Sequence, residues 1–302
     1  MSENSGILIV TGATATGKST LAVQLARRFE AEIIGADSRQ IYRDMSIGTA
    51  APSKAQRAEV PHHLVAFLDP RERYSAAQFT LDALTAIEDL GRRAKRAIVV
   101  GGTGFYIRAL CGEVSLAPQY DRNLRRRLQR EVALHPPEVL HAWLSSIDPQ
   151  RASVISSGDT YRIVRSLEVV LAENQTRDEP LASLRGRGIP FVKACLCLPT
   201  DVLEKRISER VDTMLRSGLL DEAERIGINA VAASAVGYPQ ALGYLRGLCT
   251  EGELRKMLFR ATRRYAKRQQ TWFRSERDIH WCCAQNALEA VSALARERLQ
   301  WV

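Results

Sequence analysis

Ile7-Leu8-Ile9-Val10-Thr11-Gly12-Ala13-Thr14-Ala15-Thr16-Gly17-Lys18-Ser19-Thr20 is the stretch that decides the fold. Its four leading apolar residues predict a strand covered on both faces, as in a parallel sheet. Gly12 to Ser19 then match the pattern G-x-x-x-x-G-K-[ST]. The first glycine allows a sharp exit from the strand, and Gly17 lets the backbone turn around an anion without a Cβ clash. Exposed N–H groups and the N-terminus of the next helix favour phosphate. That helix is expected from Ser19 to Phe29, with Leu21 and Leu25 on one side. Gly12, Ala13, Thr14, Ala15, Thr16, Gly17, Lys18, Ser19 and Thr20 are therefore candidates for holding a di- or triphosphate. Lys18 reaches phosphate oxygens, and the Ser19 hydroxyl is the candidate ligand for Mg²⁺.

Working outward, Ile33-Ile34 leads into Asp37 as a second short strand, and residues 76–90 place Phe79, Ala83, Ile87 and Leu90 at helical spacing. Ala97-Ile98-Val99-Val100 reads as a strand closing on Gly101-Gly102-Thr103-Gly104, and residues 191–198 as a returning core strand. Strand, loop, helix and strand in this order indicate an open α/β sheet. Ligands bind at the carboxyl ends of such strands, where Gly12, Asp37 and Thr103 lie. From position alone Asp37 either serves the chemistry, by orienting Mg²⁺ or accepting a proton, or caps a local turn. Thr103 either approaches a transferred group or completes a packing turn. Arg206 and Arg210 share one helical face suited to closing over phosphate, unless Glu204 and Glu209 pair with them at the surface.

Composition changes near Pro118, and residues 121–184 carry helical patterns and turn signals without a strong strand. The expected division is residues 1–117 for the first part of the core, 118–188 for a helical insertion, and 189–302 for core completion with basic C-terminal helices. The six cysteines lack the spacing of a zinc site and fit a reducing compartment. The N-terminus shows no signal-peptide pattern and no stretch is long and apolar enough for a membrane span, so a cytoplasmic location is expected. His62 and His63 follow Pro61 without a ligand cluster, which favours a structural or capping role.

The formal charge is +9, which permits an anionic partner without identifying it. Nine Lys or Arg residues and one acid, Glu276, fall between Arg255 and Arg277. Arg260, Arg263, Arg264, Lys267 and Arg274 form a positive band at helical spacing, with Met257, Ala261, Tyr265 and Trp272 expected on the opposite, docked face. Residues 121–127, which include Arg127, and the stretch Tyr161-Arg162-Ile163-Val164-Arg165 add positive charge to the insertion. Three such runs beside a phosphate site point to a polyanion.

In order and spacing these segments resemble the bacterial tRNA dimethylallyltransferases, also called tRNA isopentenyltransferases, over nearly the whole chain. The marks are Gly12 to Thr20; Asp37-Ser38-Arg39-Gln40-Ile41-Tyr42-Arg43; Ile47-Gly48-Thr49-Ala50; Val60 to Leu64; Tyr74 to Ala77; Val100 to Tyr106; Val236-Gly237-Tyr238; and Thr262 to Phe273. The resemblance implies a P-loop kinase-like, three-layer α/β core with a parallel sheet and a mainly helical inserted domain. It implies transfer of a dimethylallyl group from dimethylallyl diphosphate to N6 of adenosine 37, in the tRNA anticodon loop. By the same resemblance Asp37 is the base, Thr103 lies near the bridging oxygen, and Arg210 helps hold the diphosphate. Asp37, Ser38, Arg39 and Gln40, with Thr103, contact the target nucleotide, while Arg127, Tyr161, Arg162, Ile163, Val164 and Arg165 fall in segments that meet tRNA. Mg²⁺ is the implied cofactor, and a monomer without an obligate protein partner is expected. The chain departs from the pattern at Ala13, where Pro is usual, at Gly158, where Asn is common, and at Tyr161, where Gln is common. The rival reading is a P-loop nucleoside or small-molecule kinase, which leaves the basic insertion with less purpose.

Overall fold

The computed structural model describes residues 6–114, 122–173 and 182–302. The expected breakpoint at Pro118, Asp121 of the basic run, and residues 1–5 of the N-terminus lie outside them. Contacts divide the chain into one unit of residues 1–114 with 182–302, and a second of residues 115–181. Residues 182–188, expected at the end of the insertion, group with the first unit. Leu184 donates its N–H to the Leu110 carbonyl and Ile189 donates to that of Leu184, each at 2.9 Å.

The first unit is built on six parallel strands: β1 (Ile7–Gly12), β2 (Ala31–Gly35), β3 (His62–His63), β4 (Arg96–Val100), β5 (Phe191–Cys197) and β6 (Ile279–Cys283). Their order is β3-β2-β4-β1-β5-β6. The helices of this unit before the insertion are α1 (Lys18–Arg28), α2 (Ser46–Thr49), α3 (Lys54–Glu59), α4 (Ala76–Arg92) and α5 (Gly104–Cys111). The insertion holds α6 (Arg122–Leu134), α7 (Pro137–Ile147), α8 (Pro149–Ala152) and α9 (Thr160–Glu173). After it come α10 (Thr200–Arg216), α11 (Leu219–Ile226), α12 (Tyr238–Leu245), α13 (Glu251–Arg274) and α14 (Ala287–Leu299).

Every residue of β1 is buried. Alternation along the strand turns Leu8 and Val10 toward one face, where they cluster with Leu21, Leu25 and Phe29 near α1 and with Val291, Leu299 and Trp301 near the C-terminus. The alternate residues serve the opposite face, where α4 and α5 bury Phe79, Leu84, Leu90, Ile107 and Leu110. The result is a three-layer α/β sandwich. Because the chain reaches β2 before returning to insert β4 beside β1, the strand order reverses at β1. The crevice this opens lies at the carboxyl ends of β1 and β4. The insertion has its own apolar centre, in which Leu128, Leu140, Leu144, Ile163 and Leu167 are buried together.

Two strands escape the sequence pattern. β6 reads Ile-His-Trp-Cys-Cys and is largely exposed because it is an edge strand. β3 is two histidines long, and polar partners anchor it. His62 Nδ1 lies 2.7 Å from the Val60 carbonyl, while His63 Nε2 lies 2.7 Å from Glu32 Oε2. Glu32, nearly buried on β2, also accepts from Arg93 Nη1 at 2.5 Å and Nη2 at 3.0 Å. The Arg93 bonds, more than the His63 contact, hold its carboxyl down at about 2 against an ordinary 4.5. A depressed carboxyl stabilises the fold fully above its unfolded value and loses that contribution as pH falls from 4.5 toward 2. Glu32→Gln is therefore expected to cost about 2 kcal/mol at pH 7, and the cost should shrink across that acid window. Urea titrations at pH 7 and pH 3 check both values; an equal loss at the two would contradict the assignment.

Candidate active site

The loop after β1 turns its backbone, rather than side chains, toward the crevice. Gly12 leaves the strand at φ 138°, and a Cβ there would stand 2.5 Å from the Leu196 carbonyl oxygen of β5. Ala15 and Gly17 follow with φ of 64° and 96°. The Thr16 hydroxyl and the Lys18 ammonium both donate to the Ala13 carbonyl, at 2.8 and 2.6 Å.

Gln269, buried on α13, ties this loop to the second glycine loop. Its Oε1 accepts from the Thr14 N–H at 2.8 Å, and its Nε2 donates to the Gly102 carbonyl at 2.9 Å. Gly101 packs so closely on Ala36 that no side chain fits there. This contact sets the ends of β2 and β4 side by side, and with them Asp37 and Thr103. The Thr103 hydroxyl accepts from the Ser38 N–H at 2.9 Å. Asp37 Oδ1 accepts from the N–H groups of Arg39 at 2.9 Å and Gln40 at 3.4 Å. Asp37 thus does cap its local turn, yet this engages one carboxylate oxygen only.

Arg210 on α10 donates from Nη2 to the Thr49 carbonyl at 3.2 Å, while its Nε is buried with no partner. Arg206, one turn earlier, donates to the Thr16 carbonyl at 3.4 Å. Glu204 does not neutralise this face: it pairs with Arg263 at 2.6 Å. Burial lowers the Lys18 ammonium to about 8; the Asp37 carboxylate opposes that shift and the Arg210 guanidinium adds to it. Burial lowers Arg210 as well, against the pull of Asp37. Two cations held close in a desolvated place, one with an orphaned donor, form a site that an entering polyanion relieves.

Gly12 to Thr20, Asp37, Ser38, Thr103 and Arg210 thus converge at one end of the sheet. Gln40 stands at its margin, donating from Nε2 to the carbonyls of Thr49 at 3.2 Å and Ala50 at 3.1 Å. Arg39 stays half-buried in the same turn. Sequence reasoning gave no role to Gln269 or Thr49. A glutamine on the apolar stripe of a helix was the available signal for the first; Thr49 acts through its carbonyl, which no side-chain pattern reveals.

The docked face of α13 differs from expectation. Met257 is 43% exposed, and the buried stripe is Leu254, Leu258, Ala261, Ala266, Gln269 and Phe273. The helix starts at Glu251, capped by the Thr250 side chain, so its apolar phase begins at Leu254 and carries Met257 outward. The positive band does face away from the sheet: Arg260, Arg263, Arg264, Lys267 and Arg274 line a cavity of about 820 Å³ with Leu203 and Ile207 of α10.

Within the insertion, Tyr161 is 73% exposed, and Arg127 and Arg162 are exposed too. Ile163 is fully buried: two positions after Tyr161, the helix turns its side chain into the apolar centre. Val164 packs partly against the same centre. Arg165 donates to the buried Glu168 at 3.0 Å, so part of its charge serves the fold.

Glycine loop, paired cations and carboxylate meet at the reversal point of a parallel sheet, which defines a P-loop α/β protein. A family model described as IPP transferase matches residues 40–276. The tRNA dimethylallyltransferase of Geobacter metallireducens is 40% identical over 286 residues, covering 92% of this chain and 93% of its own. The full-length tRNA isopentenylpyrophosphate transferase of Bacillus halodurans is 33% identical with a TM-score of 0.71, over 98% of this chain and 97% of its own. A eukaryotic dimethylallyltransferase, solved acting on tRNA, aligns at 26% identity and a TM-score of 0.74, over 95% of this chain and 77% of its own. The chain belongs to the IPP transferase family.

A bound anion should raise the Lys18 ammonium back toward its ordinary value. Above pH 8 inorganic diphosphate is then expected to bind with proton uptake, and below pH 7 without that contribution. Calorimetry in buffers of different ionisation enthalpy measures the uptake. Lys18→Met should abolish the difference from the ligand's own titration, and a variant with wild-type uptake would remove Lys18 from the site.

Proposed function

We propose that this chain transfers a dimethylallyl group from dimethylallyl diphosphate to N6 of adenosine 37 in tRNA, releasing diphosphate. The carrying observation is that the Asp37 carboxylate acts electrostatically on two desolvated cations, Lys18 beside the glycine loop and Arg210 of α10. That arrangement suits a reaction in which negative charge grows on a leaving diphosphate while a proton departs from an incoming amine. The names of the full-length relatives, which cover more than nine-tenths of the chain, agree with it.

In this reading the allylic C1–O bond breaks, and its electron pair leaves with the diphosphate. The loop N–H groups, Lys18 and Arg210 stabilise that charge, and they are preorganised because the fold holds them before the ligand arrives. The N6 lone pair forms the new bond to C1. Its proton, made acidic by bond formation, passes to the Asp37 carboxylate, whose Oδ1 is steadied by the Arg39 and Gln40 N–H groups. Thr103, fixed by Ser38, faces the same space and suits the bridging oxygen. The Ser19 hydroxyl is a hard donor that fits Mg²⁺. Among the described residues no cluster of three or more His, Cys, Asp or Glu side chains forms a protein cage, so waters and diphosphate oxygens would complete the coordination. When bound, the ion neutralises further charge on the leaving group.

Adenosine N6 is obstructed while its base is stacked; turning the base out of a loop costs a few kcal/mol. Exposed cations of the insertion, Arg127 among them, and the outer band of α13 suit the tRNA backbone, and the reaction belongs where tRNA is, in the cytoplasm. Asp37→Ala should lower kcat by about a thousandfold, within the range of general-base loss, while tRNA binding changes little. Nucleoside mass analysis after incubation with unmodified tRNA, dimethylallyl diphosphate and Mg²⁺ reads the transfer, and filter binding reads the affinity. Equal losses in both would refute the role of Asp37.

A further inference from the structure

Glu222 of α11 is 2% exposed inside an apolar cluster that includes Ile41, Met45, Leu219, Tyr238 and Leu254. A carboxylate in such surroundings needs strong donors, and it has three. Oε1 accepts from the Gly48 N–H at 2.7 Å and from the Tyr238 hydroxyl at 2.7 Å; Oε2 accepts from the Ile47 N–H at 2.9 Å. The two N–H groups belong to α2, a single turn whose own flanking residue, Met45, supplies no side-chain cap. The Tyr238 hydroxyl also lies 3.3 Å from the Met45 carbonyl, and the ring closes on α2 so tightly that a Cβ at Gly48 would stand 2.7 Å from it. One end of α2 is therefore clamped from the core.

The other end of the same turn carries the carbonyls of Thr49 and Ala50. Thr49 O receives both Arg210 Nη2 and Gln40 Nε2, and Ala50 O receives Gln40 Nε2 again. Arg210 is the cation placed on the leaving diphosphate, and Gln40 belongs to the turn placed on the target nucleotide. We infer that Glu222 and Tyr238 are positioning residues that set the site for both substrates at once, by fixing the α2 turn whose carbonyls aim Arg210 and Gln40. The inference rests on the function proposed above for the identity of those substrates. Its physical core is a rigid peptide turn, four residues long, with an ionic anchor at one end and two functional side chains at the other.

A substitution at the anchor should then shift affinity for two unlike ligands together, by more than an equal loss of stability elsewhere in the cluster does. Glu222→Gln presents one acceptor and one donor to N–H groups that need two acceptors. It should weaken inorganic diphosphate, measured by calorimetry with Mg²⁺, and an unmodified tRNA anticodon stem-loop, measured by filter binding, by about tenfold each. Gly48→Ala pushes the turn from its other side and should do the same. Tyr238→Phe keeps the ring and removes one donor, so about threefold is expected; it decides the matter if Glu222→Gln does not fold. Leu254→Ala, in the same cluster but without contact to the turn through any hydrogen bond, should lose comparable Tm with both dissociation constants unchanged. In a Gln40→Ala background the effect of Glu222→Gln on RNA should vanish while its effect on diphosphate persists. Wild-type affinities in Glu222→Gln, or equal weakening by Leu254→Ala, overturn the inference. A wild-type chain that binds diphosphate but not the stem-loop overturns the proposed substrate instead, and the diphosphate arm still judges the anchor.

Discussion

A cluster of positive charge is held out of water at the end of β1 before any ligand is present, and much of the surrounding architecture follows from that constraint. Lys18 and Arg210 each lose stability as ions through burial, and each is supported by the single carboxylate of Asp37. Such an arrangement can persist only where rigid neighbours leave the charges nowhere else to go. Lys18 folds back on the Ala13 carbonyl, Arg210 leans on the Thr49 carbonyl, and Gln269 braces the loop itself. Backbone carbonyls serve as placeholders for ligand oxygens.

The fold supplies those neighbours from far along the chain. Positions 14, 102 and 269 meet through one glutamine side chain. Positions 49 and 210 meet through one carbonyl. Parallel sheets permit this because every crossover returns the chain to the same edge, so loops remote in sequence gather at the carboxyl ends of the strands. Helix α13 then has two duties on two faces. Its inner stripe braces the loops, and its outer band lines a cationic groove.

The sheet was legible because its central strands are continuous apolar runs followed by loops with strong backbone requirements. β1, β2, β4 and β5 announce themselves in that way. β3 and β6 do not, since an edge strand needs no apolar partner on its open side and takes its stability from polar anchors such as Glu32. Within the site, the glycine loop and Asp37 were readable as letters at fixed spacing. The bonds of Gln269 and Thr49 were not, because a side chain reaching over 255 residues and a backbone acceptor leave no local periodicity. Ile163 shows the limit of reading a run of residues as one surface: the run obeys helical phase, and one side chain in it belongs to the core. The phase of α13 was missed by the same mechanism, because an exposed methionine looks like core until the helix start is located.

The loop alone does not separate carbon from phosphorus as the electrophile, and the kinase alternative shares it. What separates them is where charge changes during the reaction. In phosphoryl transfer the moving group passes between two oxygens, and the stabilising cations must serve both positions. In prenyl transfer the diphosphate stays whole and only gains charge, so its stabilising groups can be fixed in place. Here Lys18 and Arg210 are anchored to backbone carbonyls on two sides of the loop, and Asp37 is anchored by its own turn. Fixed cations beside a fixed carboxylate suit the departure of an undivided diphosphate, the reaction proposed for this chain.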